Sequence, residues 1–257
     1  MTSRIHSIAG LDLRDINEAA LVDHLAEAAN RQQGGWIVTA NADIARQCRQ
    51  QPTLKAMVAK ADLIVADGMP LIWAARICGR PLPERVCGSD LVWSIAERAS
   101  QDGLSLFLLG GGAPDTARRA ASVLQARHPS LAIAGTHYPP FGFESDATEM
   151  ARLRDALTQA APDIVYVALG FPKAERLIHA LRSEYPGIWW IGVGISLSFM
   201  AGDVARAPPW MQRIGFEWLH RMVQEPGRLV KRYLWHDIPF VLWLLAWALR
   251  ERLRGSP

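Results

Sequence analysis

The chain has 257 residues, 50% of them hydrophobic and 21% charged, which supplies material for a sizeable core and excludes a disordered protein. No uninterrupted apolar run is long enough to cross a bilayer as a helix, and the N-terminus lacks the basic start, apolar stretch and small-residue cleavage site of an export signal. Cys48, Cys78 and Cys87 are odd in number and show no C-x-x-C spacing, which argues against a disulfide framework or a structural zinc site and for a reducing cytoplasm.

The net charge of +3 is unevenly spread: residues 206–257 hold nine Arg/Lys against four acids, whereas residues 1–205 hold 19 against 21. Five of the ten Trp residues also fall in that last fifth. A basic, Trp-rich segment points to anionic lipid or phosphate partners. Nucleic acid is disfavoured, because the body is not basic and carries no zinc-finger or RNA-binding motif.

Residues 4–13 read as a hairpin turning at Ala9-Gly10, followed by a helical pattern from about Asn17 to Gln33. Apolar strand-like runs then occur at 36–40, 62–66, 104–109, 131–136, 163–169 and 188–194. Helical stretches near 42–60, 68–79, 90–101, 114–127, 147–160 and 173–184 lie between them. Unbroken apolar strands separated by helices predict an α/β fold with a mostly parallel sheet covered on both faces. Functional loops then belong at the strands' carboxyl ends. After Gly202 the pattern becomes purely helical, so 1–202 reads as the α/β domain and 203–257 as a helical appendage.

Four strand ends carry candidate chemistry. Thr39-Ala40-Asn41 offers a hydroxyl and an amide to a polar ligand, although Asn41 equally suits a helix N-cap. Asp67, before Gly68-Met69-Pro70, is either a general base whose pKa partial burial raises, or an Asx-type turn or cap. The turn Gly110-Gly111-Gly112 opens a helix and suits a phosphate, or merely a tight turn; it matches neither G-x-G-x-x-G nor the P-loop. Lys173, in Gly170-Phe171-Pro172-Lys173-Ala174-Glu175, opposes the dipole of the helix it begins, which makes it a functional candidate or a plain surface lysine. No Asp-x-Asp and no His/Cys cluster has metal-ligand spacing, so a bound pyrophosphate is expected to be neutralised by Arg/Lys and backbone amides.

In the C-terminal segment Pro226 should end one helix and start the next, on which Arg228, Lys231 and Arg232 share a face suited to a diphosphate. Ile238 to Leu249 is twelve residues without a charge, about 18 Å as a helix. With Trp243, Trp247 and an arginine-rich end it fits shallow interfacial insertion, packing on protein being the alternative.

These pieces, in order, resemble the WecG/TagA/CpsF group, glycosyltransferase family 26. The resemblance covers roughly residues 36 to 240. It rests on Thr39-Ala-Asn41, Ala61-Asp-Leu, Asp67-Gly-Met-Pro, Glu84-Arg85-Val-Cys-Gly88 and Leu108-Leu-Gly-Gly111. It continues through Gly170-Phe-Pro-Lys173, Gly192-Val-Gly194, Ala201-Gly202, Arg206-Ala-Pro208, Glu217-Trp218, Glu225-Pro226, Arg228 and Arg232-Tyr233.

The resemblance implies a Rossmann-like α/β enzyme that transfers a sugar, with inversion and without a metal cofactor, from a UDP donor to a polyprenyl-diphosphate-linked sugar. It implies action on the cytoplasmic face of a bacterial membrane, in exopolysaccharide or cell-envelope polysaccharide synthesis. Asp67 matches the family's base, and Thr39, Asn41 and Arg85 match residues around the substrates. Gly110, Gly111, Lys173 and Glu175 fall in its strand-end motifs. Arg206, Arg221, Arg228 and Arg232 match arginines that complete the site from the appendage. Two departures bear on the donor: the family's Pro-Lys-Gln-Glu is Pro172-Lys173-Ala174-Glu175 here, and Ile195-Ser-Leu-Ser198 follows Gly194. They place a UDP-hexose such as UDP-glucose beside an N-acetylmannosamine-type donor. Residues 234–254 are the expected membrane contact, and self-association through the same segment is compatible with it. A non-catalytic membrane-associated nucleotide-binding scaffold and a soluble NAD(P)-dependent oxidoreductase are the rival classes.

Overall fold

A computed structural model describes residues 4–213 and 217–255 of the chain, with the side chains of Arg213 and Arg228 outside the description. Two strands, β1 (Ile5–Ile8) and β2 (Leu11–Arg14), form an antiparallel hairpin. The turn residues Ala9 and Gly10 both have positive φ, 51° and 83°, the backbone twist that a two-residue hairpin turn demands.

The body is one six-stranded, all-parallel sheet. Its strands are β3 (Gly35–Ala40), β4 (Leu63–Ala66), β5 (Ser105–Gly110), β6 (Ala132–His137), β7 (Ile164–Ala168) and β8 (Trp189–Gly192), in the spatial order β4-β3-β8-β7-β5-β6. Every residue of β3, β4 and β7 is buried, because helices cover both faces. Side chains alternate between two core layers. Trp36, Val38, Ala40, Phe107, Val165 and Trp190 enter one, and Ile37, Val65, Leu106, Leu108, Tyr166 and Ile191 enter the other.

The expected strands and helices appear with ends displaced by a few residues. One helix departs in kind: the stretch read as 42–60 is two helices, Ala42–Gln50 and Pro52–Val58. Gln51 between them is extended, with φ −126° and ψ 98°, since the ring of a proline disfavours helical backbone in the residue before it.

Beyond the sheet the chain is helical, with Pro226 opening a new helix as expected: Glu217–Gln224, Pro226–Arg232, a π-turn over Tyr233–Asp237, then Ile238–Leu253. Phe240, Leu244 and Ala248, four residues apart along the last helix, are buried in the same core layer as Trp36 and Trp190. They pack against helix Met69–Ile77. The apolar stretch 238–249 therefore does pack on protein, but by one face only. Leu242, Leu249 and Leu253 on this helix, and Trp235 just before it, remain 53–79% exposed. No helix among the described residues is long and apolar enough to cross a membrane.

This division makes a direct prediction. Leu244→Ala should lower unfolding free energy by about 2–5 kcal/mol, as for other buried leucines. Leu242→Ala should stay within about 0.5 kcal/mol of the parent. Urea denaturation of both variants checks it.

Candidate active site

The carboxyl ends of β3 and β4 lie side by side, with Ala40 paired to Ala66. The N–H of Asp67 donates to the carbonyl of Ala40 at 2.7 Å, so Asn41 and Asp67 leave the sheet together. A cleft of about 420 Å³ opens there. Asn41, Asp67, Arg85, Arg221 and Arg232 all line it, together with Asp43, Glu217, Trp218 and Tyr233. From Asp67 the wall turns apolar through Met69, Pro70, Trp73, Ile238, Val241 and Leu242. The cleft thus runs from a charged end to the exposed face of the last helix.

Asp67 does not cap its own helix, whose N-cap is Gly68 with no side-chain bond. Instead its Oδ2 accepts from the N–H of Gly88 at 3.0 Å, at the start of the 15-residue helix Gly88–Asp102. A side chain there would be crowded: a Cβ on Gly88 would lie 3.1 Å from Thr39 Oγ1 and 3.3 Å from Asp67 Oδ2. Loss of water around the carboxyl is the dominant influence and pushes its pKa up to about 7. The Gly88 N–H, the positive charge of Arg85 and the Cys87 thiol oppose that rise, and the negative charge of Glu217 adds to it. A carboxyl held near neutrality is suited to take a proton from a hydroxyl at physiological pH.

Asn41 is a cap: its Oδ1 accepts from the N–H of Ile44 at 3.1 Å while the residue also faces the cleft. Thr39 is 8% exposed and lies behind Gly88. Arg206 adjoins the cleft through ion pairs to Asp90 (2.6 Å) and Glu217 (3.4 Å). Glu217 is also 4.0 Å from Arg85. Arg232 is held by two carboxylates, Asp43 at 3.1 Å and Asp237 at 3.2 Å, and Arg46 engages the same pair. The side chain of Arg228 lies outside the described residues.

The remaining sequence candidates line a different part of the sheet. β5 continues outward to β6 and β7 continues the opposite way to β8, which creates a crevice between their carboxyl ends. Gly110 and Gly111, with φ of 89° and 125°, form one side of it. Their backbone is closely packed, since Cβ atoms there would meet Ala168 O and Thr116, and the N–H of Gly111 is given to Ala168 O. Lys173, at the start of helix Lys173–Leu181 after β7, lies 3.7 Å from Glu144 and 4.4 Å from the ring centre of Phe141, a residue 96% exposed. Glu175 is 4% exposed and packs against Gly192. Burial pushes its carboxyl up to about 7, and Oε2 has no hydrogen-bond partner among the described residues.

Asp43 and Asp237 escaped the sequence reading, because their importance comes from a four-charge cluster with Arg46 and Arg232 that joins residues far apart in the chain. Phe141 carried no spacing signal at all. Among the described residues, no group of three His, Cys, Asp or Glu side chains is arranged to hold a metal ion.

A parallel α/β sheet with a half-buried carboxyl at a strand end and arginines beside it has the form of an α/β enzyme whose cleft suits an anionic ligand. The family model described as "Glycosyl transferase WecG/TagA/CpsF family" matches residues 6–254, and the chain belongs to that family and is a glycosyltransferase. It is 33% identical over 219 residues, 85% of this chain and 82% of the relative, to an N-acetylglucosaminyldiphosphoundecaprenol N-acetyl-beta-D-mannosaminyltransferase of Bacillus spizizenii. An enzyme of the same name from Bacillus subtilis is 29% identical over 228 residues, 88% of this chain and 85% of that relative. Family membership decides against the scaffold and the oxidoreductase.

The raised pKa of Asp67 has a consequence for stability. Its folded value near 7 exceeds the 3.8 of a free side chain, so the folded state binds this proton more tightly and loses stability as pH rises between those values. Asp67→Asn should therefore be more stable than the parent at pH 8, by about 1–3 kcal/mol, and the gap should shrink at pH 5. Denaturant titrations at the two pH values read the difference.

Proposed function

We propose that the protein moves a hexose, of N-acetylmannosamine or glucose type, from a UDP-sugar to a polyprenyl-diphosphate-linked sugar in bacterial exopolysaccharide or cell-envelope polysaccharide synthesis. The observation that carries this reading is Asp67, a carboxyl near neutrality in a cleft that is charged and arginine-lined at one end and apolar toward the other. The two Bacillus relatives support it, since their names specify a diphosphoundecaprenol-linked acceptor.

In this mechanism Asp67 removes the proton from an acceptor-sugar hydroxyl as the oxygen attacks the anomeric carbon from the face opposite UDP. The new glycosidic bond forms, the bond to the β-phosphate oxygen breaks with inversion, and the proton stays on Asp67 until product leaves. The acceptor's diphosphate lies among Arg85, Arg206, Arg221 and Arg232, with Arg228 on the same helix as Arg232. Its proximal isoprenoid units lie along Pro70, Trp73 and Leu242. Thr39 and Asn41 hold the base's surroundings in place.

The donor occupies the crevice between β5 and β7, bordered by Gly110 and Gly111, with Lys173 after β7 supplying positive charge to the UDP leaving group and Glu175, behind it on the same helix, completing the donor site. Charge neutralisation by Arg/Lys and backbone amides makes the transfer independent of an added metal. The enzyme works as a peripheral protein on the inner face of the plasma membrane. There the exposed apolar residues between 234 and 254, flanked by Arg250, Arg252 and Arg254, rest in the headgroup region.

Purified protein, a polyprenyl-diphosphate-sugar acceptor and a panel of UDP-sugars, with EDTA present, should give acceptor-dependent UDP release with one donor. Its kcat/KM should rise with pH through an acidic limb near 7, where Asp67 ionises. Asp67→Asn should cut turnover about 10²–10⁴-fold; near-normal turnover would remove Asp67 from the role of base. The combined change Trp235→Ala and Leu242→Ala should reduce co-sedimentation with anionic lipid vesicles, and unchanged sedimentation would move the membrane contact elsewhere.

A further inference from the structure

Glu217 occupies the place that an anionic substrate group would need. It is the first residue of helix Glu217–Gln224, in which no residue is buried, yet its own side chain is only 15% exposed. One carboxylate oxygen lies 4.0 Å from Nη1 of Arg85, and the other accepts from Nε of Arg206 at 3.4 Å. These arginines come from different parts of the chain, one from the loop before helix Gly88–Asp102 and one from the segment after Gly202. One helical turn beyond Glu217, Arg221 lines the same cleft, and its Nε is buried with no hydrogen-bond partner among the described residues. Arg85 and Arg206 thus meet Glu217, Arg206 meets Asp90 as well, and Arg221 stands in the same cleft.

A carboxylate and a phosphate both present paired oxygens to a guanidinium fork. Resting on the reading of a diphosphate-linked substrate, we infer that Glu217 is a displaceable stand-in for the substrate's diphosphate, keeping Arg85 and Arg206 in register until the diphosphate replaces it. Without an anion between them the two arginines repel each other and turn toward water, and the site has to be ordered anew at every encounter. A diphosphate brings more charge and more acceptor oxygens than one carboxylate, so the exchange runs toward substrate. The released Glu217 returns to water at the start of a solvated helix. Glu217 is therefore a positioning residue, acting through Arg85 and Arg206.

The base senses the same charge. Asp67 faces Arg85, the Cys87 thiol and the Gly88 N–H on one side and Glu217 on the other. Asp43 and Arg232, farther along the wall, pair with each other. Removing the charge of Glu217 takes away an influence that raises the pKa of Asp67, so the acidic limb of the rate profile should move to lower pH. That shift follows from the charge alone, whatever role Glu217 plays, so pyrophosphate binding is what separates a stand-in from a structural tie.

The test is Glu217→Gln in the full chain, with inorganic pyrophosphate titrated calorimetrically into parent and variant. The variant should bind pyrophosphate about 5- to 10-fold more tightly, since a competing charge is gone, and its acidic limb should shift downward. Equal or weaker binding overturns the inference and leaves Glu217 as a structural tie. Glu217→Asp, which shortens the reach and keeps the charge, should also tighten pyrophosphate binding. If both variants fail to fold, Glu217 is a folding element and the inference falls. A parent that turns over a UDP-sugar while the variants show no tightening sinks only the stand-in; a parent that binds neither pyrophosphate nor UDP sinks the underlying reading.

Discussion

The hydrogen bond from Gly88 N–H to Asp67 is the constraint on which the rest of the site depends. It ties the end of β4 to the start of a long helix on the opposite layer, and it holds a carboxyl away from bulk water without pairing it directly to a base. The absence of a side chain at Gly88 lets Thr39, Asp67 and the helix start approach one another. Burial raises the carboxyl's pKa, and the nearby N–H and Arg85 limit that rise, so the group remains able to cycle between its two protonation states. A direct, well-formed ion pair would have fixed it as an anion and made it a poor proton acceptor.

Around this carboxyl the positive charge is largely matched by acids. Arg206 is met by Asp90 and Glu217, and Arg232 and Arg46 share Asp43 and Asp237. An unmatched arginine cluster would repel itself and resist burial. Matching each charge permits an arginine-lined end to the cleft inside a stable fold. Under the proposed function an arriving anion would have to compete with the resident carboxylates, which would favour a substrate with several charges over a single carboxylate or monophosphate.

Much of the fold was legible because the apolar runs of β3, β4, β5 and β7 are buried on both faces and so read as unbroken hydrophobic segments. Asp67 was legible by position alone, as a carboxylate after such a run. Its partner was not: Gly88 lies 21 residues away, and a backbone N–H leaves no trace in residue type. The break at Gln51 was hidden because helical periodicity continues on both sides of Pro52. The inward face of Ile238–Leu253 could not be read from a stretch that is apolar on every side. The Asp43–Asp237 cluster joins residues nearly two hundred positions apart, beyond the reach of any local spacing argument.

The last helix is bolted to helix Met69–Ile77, which begins two residues after Asp67. Where the outer face of that last helix meets lipid, the height of the carboxyl above the bilayer is set by rigid packing, not by a tether. On the proposed membrane contact the enzyme would act as a ruler. A sugar joined directly to the lipid diphosphate would present its hydroxyls at one level, and a longer glycan on the same lipid would carry its terminal residue past the carboxyl, so that acceptor length would be selected by depth in the membrane as well as by contacts to the sugar itself.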